Sequence, residues 1–451
     1  MINLKANYLI AARRKAAWLR RLPWVGLALA LLIFTTPAAR AATITVNTTA
    51  DEVNNDGDCS LREAIIAANE DRVVSGCPAG SGADTIRLPA GNYVLSLAGT
   101  GENAALTGDL DINQDLTITG AGRANTTIDA NGIDGVFQIS NALAQLSDLT
   151  VTGGETGSFA GSGIYLGFNG ALTLSNSRVT NNSPQRGIYS VPTAGPLIIS
   201  NSRIDNNIGG GLYTQTATTI VNSVIYDNTN DSSGGGIHHN LSTLTLINST
   251  ISGNSAEIHG GGLLNSGETQ LYNVTIANNT ADSDSSGNGE GGGIYQNSGS
   301  LTAKNSIMAD NIDNSSTGTL YPDCFGVLTS AGYNLIETTT GCIITGDTTG
   351  NRLNLLPFLG PLQNNGGQTQ THALLVGSPA VNGGSPLGCL DQNGVLLTTD
   401  QRGYVRNGTC DMGAYEYDSA GAATPTATAT RTPTPTPTRT PTATPTRTPP
   451  S

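Results

Sequence analysis

Apolar residues recur singly along much of this chain, each at the centre of a seven-residue stretch that begins and ends with asparagine. The stretch NSTISGN, residues 248–254, shows the pattern clearly. Seven copies keep both asparagines, an eighth at 148–154 is degenerate, and successive copies start 21 to 32 residues apart. This spacing indicates a repeated structural unit. The central residues are Ile128, Val151, Val179, Ile204, Ile225, Ile251, Ile276 and Met308.

Two further β-like pieces recur between these copies. One follows three glycines, as in GGGLY at 209–213 and GGGIY at 291–295, and the other leads into the first asparagine, as in LTL at 244–246. Three short strands per unit, turns rich in glycine and asparagine, and the absence of a helical period predict a parallel β-helix.

Stacked coils place equivalent residues one strand spacing apart. We therefore expect the central apolar residues to form a buried column. The terminal asparagines should form a ladder of amide hydrogen bonds at a corner whose sharp turn calls for left-handed backbone, which asparagine tolerates. These asparagines are Asn131, Asn182, Asn207, Asn228, Asn254, Asn279 and Asn311.

One helix is predicted, over CSLREAIIAANE at residues 59–70. Ser60 and Glu63 have the spacing of a capping box, and Leu61, Ile65 and Ala68 fall on one helical face. Since the first coil of a solenoid exposes core, we expect this helix to cap the rod.

Composition narrows the class of protein. The chain has 57 glycines among 451 residues and is only 5% aromatic, which suits a repetitive β architecture better than several globular cores. Basic residues precede an apolar run at 24–34 and small residues follow it, so residues 1–41 are predicted to be a cleaved export signal, with an uncleaved anchor as the alternative. No membrane span is then expected in the mature protein.

The mature body is strongly acidic. The first 41 residues and the tail hold ten of the 21 basic residues, leaving 34 acidic residues against 11 basic ones. Such a charge repels phosphate backbones, so nucleic acid is not an expected partner.

Six cysteines in an exported chain indicate disulfides. Closing the three short loops is the simplest of the 15 possible pairings, and none of the spacings matches a zinc site. The three local couples are Cys59 and Cys77, Cys324 and Cys342, and Cys389 and Cys410.

The ends of the repeat region carry a resemblance to known proteins. CSLREA, with GDLDI at 108–112, resembles the CSLREA domain of exported bacterial β-helix proteins. LGPLQNNGGQTQTHALLVGSPAVNGG at 359–384 and CDMGAYEY at 410–417 resemble the choice-of-anchor Q region of the same proteins, and the repeats are similar to those of polymorphic outer-membrane and pectate-lyase-like β-helices. The resemblance implies the fold, export and a surface location, but it carries no common activity.

Three candidate sites follow from the β-helix register. Arg178 and Arg203 should lie outward in adjacent coils near Asp205, Tyr226 and Asp227, a weak lyase site on acidic polysaccharide in which surface ion pairing is the simpler interpretation. In DLDINQD, Asp109, Asp111 and Asp115 are weak calcium candidates, because the turn glycine of a calcium loop is absent.

The third candidate is a column of outward residues after the glycines, which we call the tyrosine column. Aromatic side chains on a hydroxyl-rich surface suit sugar rings, although tyrosines that only cover a sheet under its loops are the simpler arrangement. The column comprises Tyr165, Tyr189, Tyr213, His238, Leu264 and Tyr295.

The sequence thus predicts an all-β, right-handed parallel β-helix with an N-terminal capping helix and a disordered Thr/Pro-rich tail. We expect an exported or cell-surface structural and adhesive protein whose partner is an extracellular glycan or the cell envelope. No cofactor is expected to be required, although calcium is possible. The alternative function is a polysaccharide lyase or hydrolase. How the tail attaches, if it does, is left open. The expected segments are a signal at 1–41, an N-terminal cap at 42–116, repeats at 117–340, a C-terminal cap at 341–418 and a stalk at 419–451.

Overall fold

A computed structural model describes residues 41–155, 161–287 and 289–417 of the chain. The expected stalk, and the expected signal apart from Ala41, lie outside these residues. Within the described ranges, no helix is long and apolar enough to cross a membrane.

Successive coils stack in parallel and build three sheets, numbered here 1 to 3. Sheet 1 contains the strands that follow the glycines: Leu110–Ile112, Phe137–Ile139, Ile164–Leu166, Ile188–Ser190, Leu212–Thr214 and Ile294–Gln296. Sheet 2 contains Thr43–Thr45, Asp84–Arg87, Leu116–Thr119, Leu143–Ser147, Ala171–Ser175, Leu197–Ser200, Thr218–Val221, Ser300–Lys304 and Cys342–Asp347. Three longer strands run through both sheets: Ile237–Ile247, Leu263–Tyr272 and Cys324–Ala331.

Sheet 3 contains the strands at the centre of the repeated stretch. They are Gly91–Val94, Thr126–Asp129, Thr150–Thr152, Arg178–Thr180, Arg203–Asp205, Val224–Tyr226, Thr250–Ser252, Thr275–Ala277, Ile307–Ala309, Leu335–Ile336 and Arg352–Leu353. A narrow strip follows at the next corner, formed by Thr229–Asn230, Ser255–Ala256, Thr280–Ala281 and Ile312–Asp313. The predicted parallel β-helix is confirmed, with three strands per coil.

The central apolar column is also confirmed. Strand register pairs Val179 with Ile204, then Ile204 with Ile225, and the pairing continues to Met308. All eight predicted members are at most 1% exposed. Burying a side chain of this size contributes about 1.5–3 kcal/mol, so each coil adds a similar increment to the core.

The asparagine ladder forms between residues 182 and 311. Each side-chain Nδ2 donates to Oδ1 of the asparagine in the next coil at 2.9 Å, from Asn182 through Asn279. The last amide, on Asn311, donates to Asp323 Oδ1 at the same distance. The ladder therefore ends on a carboxylate.

Asn131 was expected in the ladder, and this prediction is wrong. Its side chain is exposed because the next coil has Gly154 at the equivalent position, and Gly154 carries no amide to receive it. The Gly154 backbone N–H donates to Asn182 Oδ1 instead, so the ladder begins one coil later.

The left-handed residues are not the ladder asparagines, which corrects a second expectation. From the copy at 148–154 onward they come one position earlier, as at Asn181, Asn206 and Asn278, and again at the first residue of each repeat, such as Asn176 and Asn201. In these copies only Asn, Asp and Gly, the residues that tolerate this backbone, occupy the two positions. Ladder asparagines instead donate to a carbonyl two residues back, as Asn228 does to Tyr226.

The predicted helix spans Leu61–Glu70, and the capping box of Ser60 and Glu63 is present. Arg62 points inward with no exposed surface, pairs with Asp51 at 2.6 Å, and donates to the carbonyls of Ala105 and Gly108. The helix is thereby fastened to the first coils.

All three disulfides close the local loops predicted from the sequence. They join Cys59 to Cys77, Cys324 to Cys342 and Cys389 to Cys410. Because Cys59 directly precedes the capping helix, the first disulfide ties the start of that helix to the segment that follows it.

A C-terminal cap is predicted for residues 341–418, but only the first of these residues continue the coils. The segment after Arg352–Leu353 runs along the outer face of sheet 3. It contains one antiparallel pair of strands, Leu359–Gln363 and Thr371–Leu374, in which Leu359 lies opposite Leu374. Ala373, Leu374, Met412 and Tyr415 form a second apolar cluster with residues of sheet 3 such as Ile307 and Leu335. This segment covers the side of the rod.

Asn228→Ala should lower the free energy of unfolding by about 3 kcal/mol, because the buried backbone N–H of Asn207 loses its acceptor and the Asn207 side-chain amide loses one of its acceptors. Urea denaturation measures the change, with the exposed Asn55→Ala as the matched control. Equal urea midpoints for the two variants would show that the ladder contributes little.

Candidate functional site

The tyrosine column forms as predicted along sheet 1. Register pairs Tyr165 with Tyr189 and Tyr189 with Tyr213, then continues through His238 and Leu264 to Tyr295. The preceding residue in each strand is buried, whereas the tyrosines and His238 are partly exposed. These side chains therefore lie on the outer face of the sheet.

The geometry of the rings determines which chemical groups the tyrosine column exposes. The Tyr189 and Tyr213 rings lie 4.8 Å apart with planes 8° from parallel, and Tyr165 stacks on Tyr189 at 6.0 Å. His238 meets Tyr213 edge-on at 4.7 Å. Most ring faces are thus covered by the neighbouring ring, so the column presents ring edges and phenol hydroxyls.

Arg186 supports this part of the column, a role that the sequence did not reveal. Its guanidinium lies 5.3 Å from the Tyr213 ring centroid and donates to the carbonyls of Gly234 and Ser233. Burial, together with the Arg186 charge, lowers the pKa of His238 to about 3, so this imidazole is neutral at physiological pH. Burial raises the pKa of Tyr189, which therefore keeps its phenol proton.

Leu264 interrupts the rings, and a second aromatic group follows it. Tyr295 stacks on His259 at 4.3 Å and on Phe325 at 5.4 Å, and Tyr321 meets Phe325 edge-on at 4.9 Å. Phe325 continues the column by register with Tyr295. His259 and Tyr321 come from loops of the glycine-rich corner, and no repeat position predicts them.

The lyase candidates lie on the outer face of sheet 3. Arg178 and Arg203 pair in register as expected, but Arg178 donates to both carboxylate oxygens of Asp205, at 2.8 and 2.5 Å. Asp205 is fully buried and also accepts from the Thr180 hydroxyl. Asp227 lies at the following left-handed corner, where burial raises its pKa.

Arg203 holds the C-terminal segment. Its Nε and Nη2 donate to the Gln368 carbonyl at 3.2 and 2.9 Å, and Arg123 donates to the same carbonyl. Burial and the Arg203 charge lower the pKa of Arg123 to about 10. Sequence reasoning missed Arg123 because it lies in a loop before the repeat. The arginines thus serve docking and ion pairing, and the carboxylate that Arg178 binds is the buried Asp205.

The calcium candidates do not converge. Asp111 is buried and accepts from the Ala105 N–H and from Gln138, whereas Asp115 is exposed and accepts from the Leu143 N–H. Burial raises the pKa of Asp111 to about 6. Burial and the Asp111 charge raise that of Asp109 to about 8. These carboxyls are therefore partly protonated near neutral pH.

Within the described part of the chain, one other acidic group has the spacing of a metal site. Oxygens of Glu52, Asp56 and Asp58 lie within 4.8 Å of one another in the loop before the capping helix. Exposed acidic groups of this kind are common without an ion, so we assign no metal to them.

Comparisons with known proteins agree with this architecture. The sequence model described as "Right handed beta helix region" matches residues 116–281. A crystal structure of pectate lyase Pel9A is similar with a TM-score of 0.50 at 12% identity, covering 84% of this chain and 97% of that one. The fold is a right-handed parallel β-helix.

Other solved β-helix neighbours are less similar. The Agl-KA catalytic domain has a TM-score of 0.32 at 16% identity, covering 70% of each chain. The Azotobacter vinelandii mannuronan C-5 epimerase AlgE4 A-module has the same TM-score and identity, covering 68% of this chain and 95% of that one. Comparison with curated proteins gives no match. At 12% identity, the likeness to pectate lyase Pel9A shows the fold alone.

Arg178→Ala should cost about 3 kcal/mol of stability, because it leaves the Asp205 carboxylate buried without a cation. Arg203→Ala serves as the control, because it removes hydrogen bonds to the Gln368 carbonyl that are exposed to solvent. Urea denaturation compares the two variants. A larger loss for Arg203→Ala would contradict the assignment of Arg178 as the structural partner of Asp205.

The contribution of Asp109 to stability should fall as pH rises from about 4 to about 8. A raised folded-state pKa means that the native protein binds the extra proton, so the Asp109 contribution is complete below its unfolded pKa near 3.8 and is lost as pH passes about 8. Asp109→Asn should flatten this dependence in urea titrations. If the slope of the free energy of unfolding against pH is unchanged in Asp109→Asn, the Asp109 carboxyl is not a source of the pH dependence.

Proposed function

We propose that this protein is an exported structural rod that binds extracellular glycan along the tyrosine column of sheet 1. The observation that carries the proposal is a continuous row of half-exposed Tyr165, Tyr189 and Tyr213, locked in register by the strands beneath. A phenol hydroxyl can both donate and accept a hydrogen bond, which matches the hydroxyl groups of a sugar chain.

Rigidity supports this proposal. Ordering flexible side chains weakens binding, but stacked rings with two side-chain torsions have already lost that freedom in the unbound protein. Tyr189 and Tyr213 are further fixed by their mutual stacking, and Arg186 fixes Tyr213. A glycan lying along the column would therefore meet a preformed row of hydroxyls.

Location rests on the sequence features alone. A basic segment followed by an apolar run, three disulfides and a Thr/Pro-rich tail are typical of exported proteins displayed on a spacer. In that setting a rod with a glycan-binding side would serve adhesion to the cell envelope or to extracellular polysaccharide.

A polysaccharide lyase or hydrolase is the alternative function. It would need a basic group poised as proton acceptor beside a bound sugar, or a pair of accessible carboxylates. On sheet 3 the Arg178 guanidinium is engaged by Asp205 and the Arg203 guanidinium by Gln368. This arrangement favours binding over cleavage as the proposal.

Replacing Tyr165, Tyr189 and Tyr213 together by phenylalanine should weaken retention on a glycan affinity column about tenfold. The rings would still stack, so the melting temperature should stay close to that of the wild type. Tyr272→Phe, on sheet 2, is the matched control. If the triple variant is retained as strongly as the wild type, the tyrosine column is not the glycan-binding surface.

A second measurement separates binding from cleavage. The wild-type protein should release neither new reducing ends nor unsaturated products from a polysaccharide panel. Release of either, abolished by Arg203→Ala, would replace the binding proposal with the lyase or hydrolase.

A further inference from the structure

A cleft of about 270 Å³ opens beside the second aromatic group. One wall is Gly289 and Glu290, just before a glycine-rich strand; the other is the loop from Ser315 to Tyr321. Its volume lies just below the range of roughly 300–1,000 Å³ that is usual for small-molecule sites. The cleft is therefore large enough for one sugar ring and too small for several.

The two walls are fastened together. Asp313, only 4% exposed, accepts from the Ser315 N–H and hydroxyl with one oxygen and from the Tyr321 N–H with the other. Ser315 Oγ also bonds to the Gly289 carbonyl at 2.8 Å, and the Gly291 N–H donates to the Tyr321 carbonyl at 3.0 Å. The cleft thus has its shape before any ligand arrives.

Tyr321 supplies an aromatic wall. Its ring meets Phe325, which stacks on Tyr295, so the cleft adjoins the C-terminal end of the tyrosine column. Gly341 also packs against this side chain, since an added Cβ there would lie 2.4 Å from Tyr321 Cδ1. These two contacts hold the ring in place.

Glu290 supplies an unused acceptor. Its carboxylate lies 3.8 Å from His259 Nδ1, too far for a hydrogen bond, and no described residue donates to its side-chain oxygens. Burial lowers the pKa of His259, so this imidazole is neutral at physiological pH and does not satisfy the carboxylate as a cation. A carboxylate of this kind can accept from two adjacent hydroxyl groups of one sugar ring.

Charge decides which sugars fit. The residues lining the cleft include Glu290 and no lysine or arginine, and the buried Asp313 lies directly behind the Ser315 wall. A uronate or sulfated sugar would bring a like charge into a site without a cation, which costs binding energy. The site therefore suits an uncharged sugar.

We infer that the cleft between Glu290 and Tyr321 is a subsite for one uncharged sugar residue of the glycan that the tyrosine column binds. Glu290 accepts from two neighbouring sugar hydroxyls, and the Tyr321 ring contacts the apolar side of the sugar. The inference rests on the proposed glycan function and adds its specificity, for neutral chains over acidic ones.

Isothermal titration of the full chain against uncharged hexose tetrasaccharides and against tetrasaccharides of the matching uronic acids tests this subsite. At least one uncharged tetrasaccharide should bind, and the uronic acid chains should bind more weakly or not at all. Glu290→Gln should weaken the uncharged ligand about tenfold, because a neutral amide replaces charge-assisted acceptors. Glu257→Gln, exposed on the preceding coil and not among the residues that line the cleft, makes the same chemical change and should leave affinity unchanged.

Several results would overturn the subsite: equal affinity for Glu290→Gln and wild type, stronger binding of uronic acid chains, or no binding of any uncharged chain. Tyr321→Ala, with an unchanged melting temperature, gives an independent reading of the aromatic wall. If the triple tyrosine variant loses glycan binding while Glu290→Gln retains it, the tyrosine column is supported as the binding surface and the cleft is refuted as a subsite. If neither change matters, both proposals fall.

Discussion

Each coil of this protein must turn sharply after sheet 3 while burying the polar atoms of the turn, and the asparagine ladder resolves that conflict. A buried amide that lacks a partner costs about 1–3 kcal/mol, and the corner repeats in every coil. From Asn182 to Asn311, each amide donates to the next coil and to a carbonyl of its own coil. The same hydrogen bonds therefore satisfy the buried polar atoms of the turn and hold successive coils in register.

Register in turn decides what the outer surface presents. Strands held one coil apart bring Tyr189 and Tyr213 to a 4.8 Å separation, which covers their faces and leaves their hydroxyls outward. The outer face of sheet 3 is occupied differently: His372 and Gln401 of the C-terminal segment bond to Ser252 and Thr250. The side of the rod that remains open and aromatic is therefore sheet 1.

The parts of the structure that depend on a repeat or on short-range spacing were predictable from the sequence. An inward isoleucine such as Ile251, the capping box of Ser60 and Glu63, and the three local disulfides all follow from short-range pattern or spacing. The ladder itself was predictable, but its limits were not. They depend on Gly154 and Asp323, single residues whose neighbours are known only once the coils are stacked.

Contacts between residues far apart in the chain could not be predicted. Arg123 reaches Gln368 across 245 residues, and no pattern in the chain links them. Glu290 and Tyr321 meet because loops of unequal length leave the same corner in adjacent coils. The tyrosine column was located correctly as an outward row, but period-two counting says nothing of ring orientation, which depends on coil spacing and side-chain torsions.

The central claim is that the ladder is structural and that glycan contacts sheet 1 and its glycine-rich corner. Amide hydrogen exchange of the full chain, with and without a glycan selected from an array, tests it directly. Added protection should appear in Ile188–Ser190, Leu212–Thr214 and residues 315–321, with no change in Arg178–Thr180 or Arg203–Asp205. Protection confined to those two strands of sheet 3 would contradict the account and place the binding surface at the arginines.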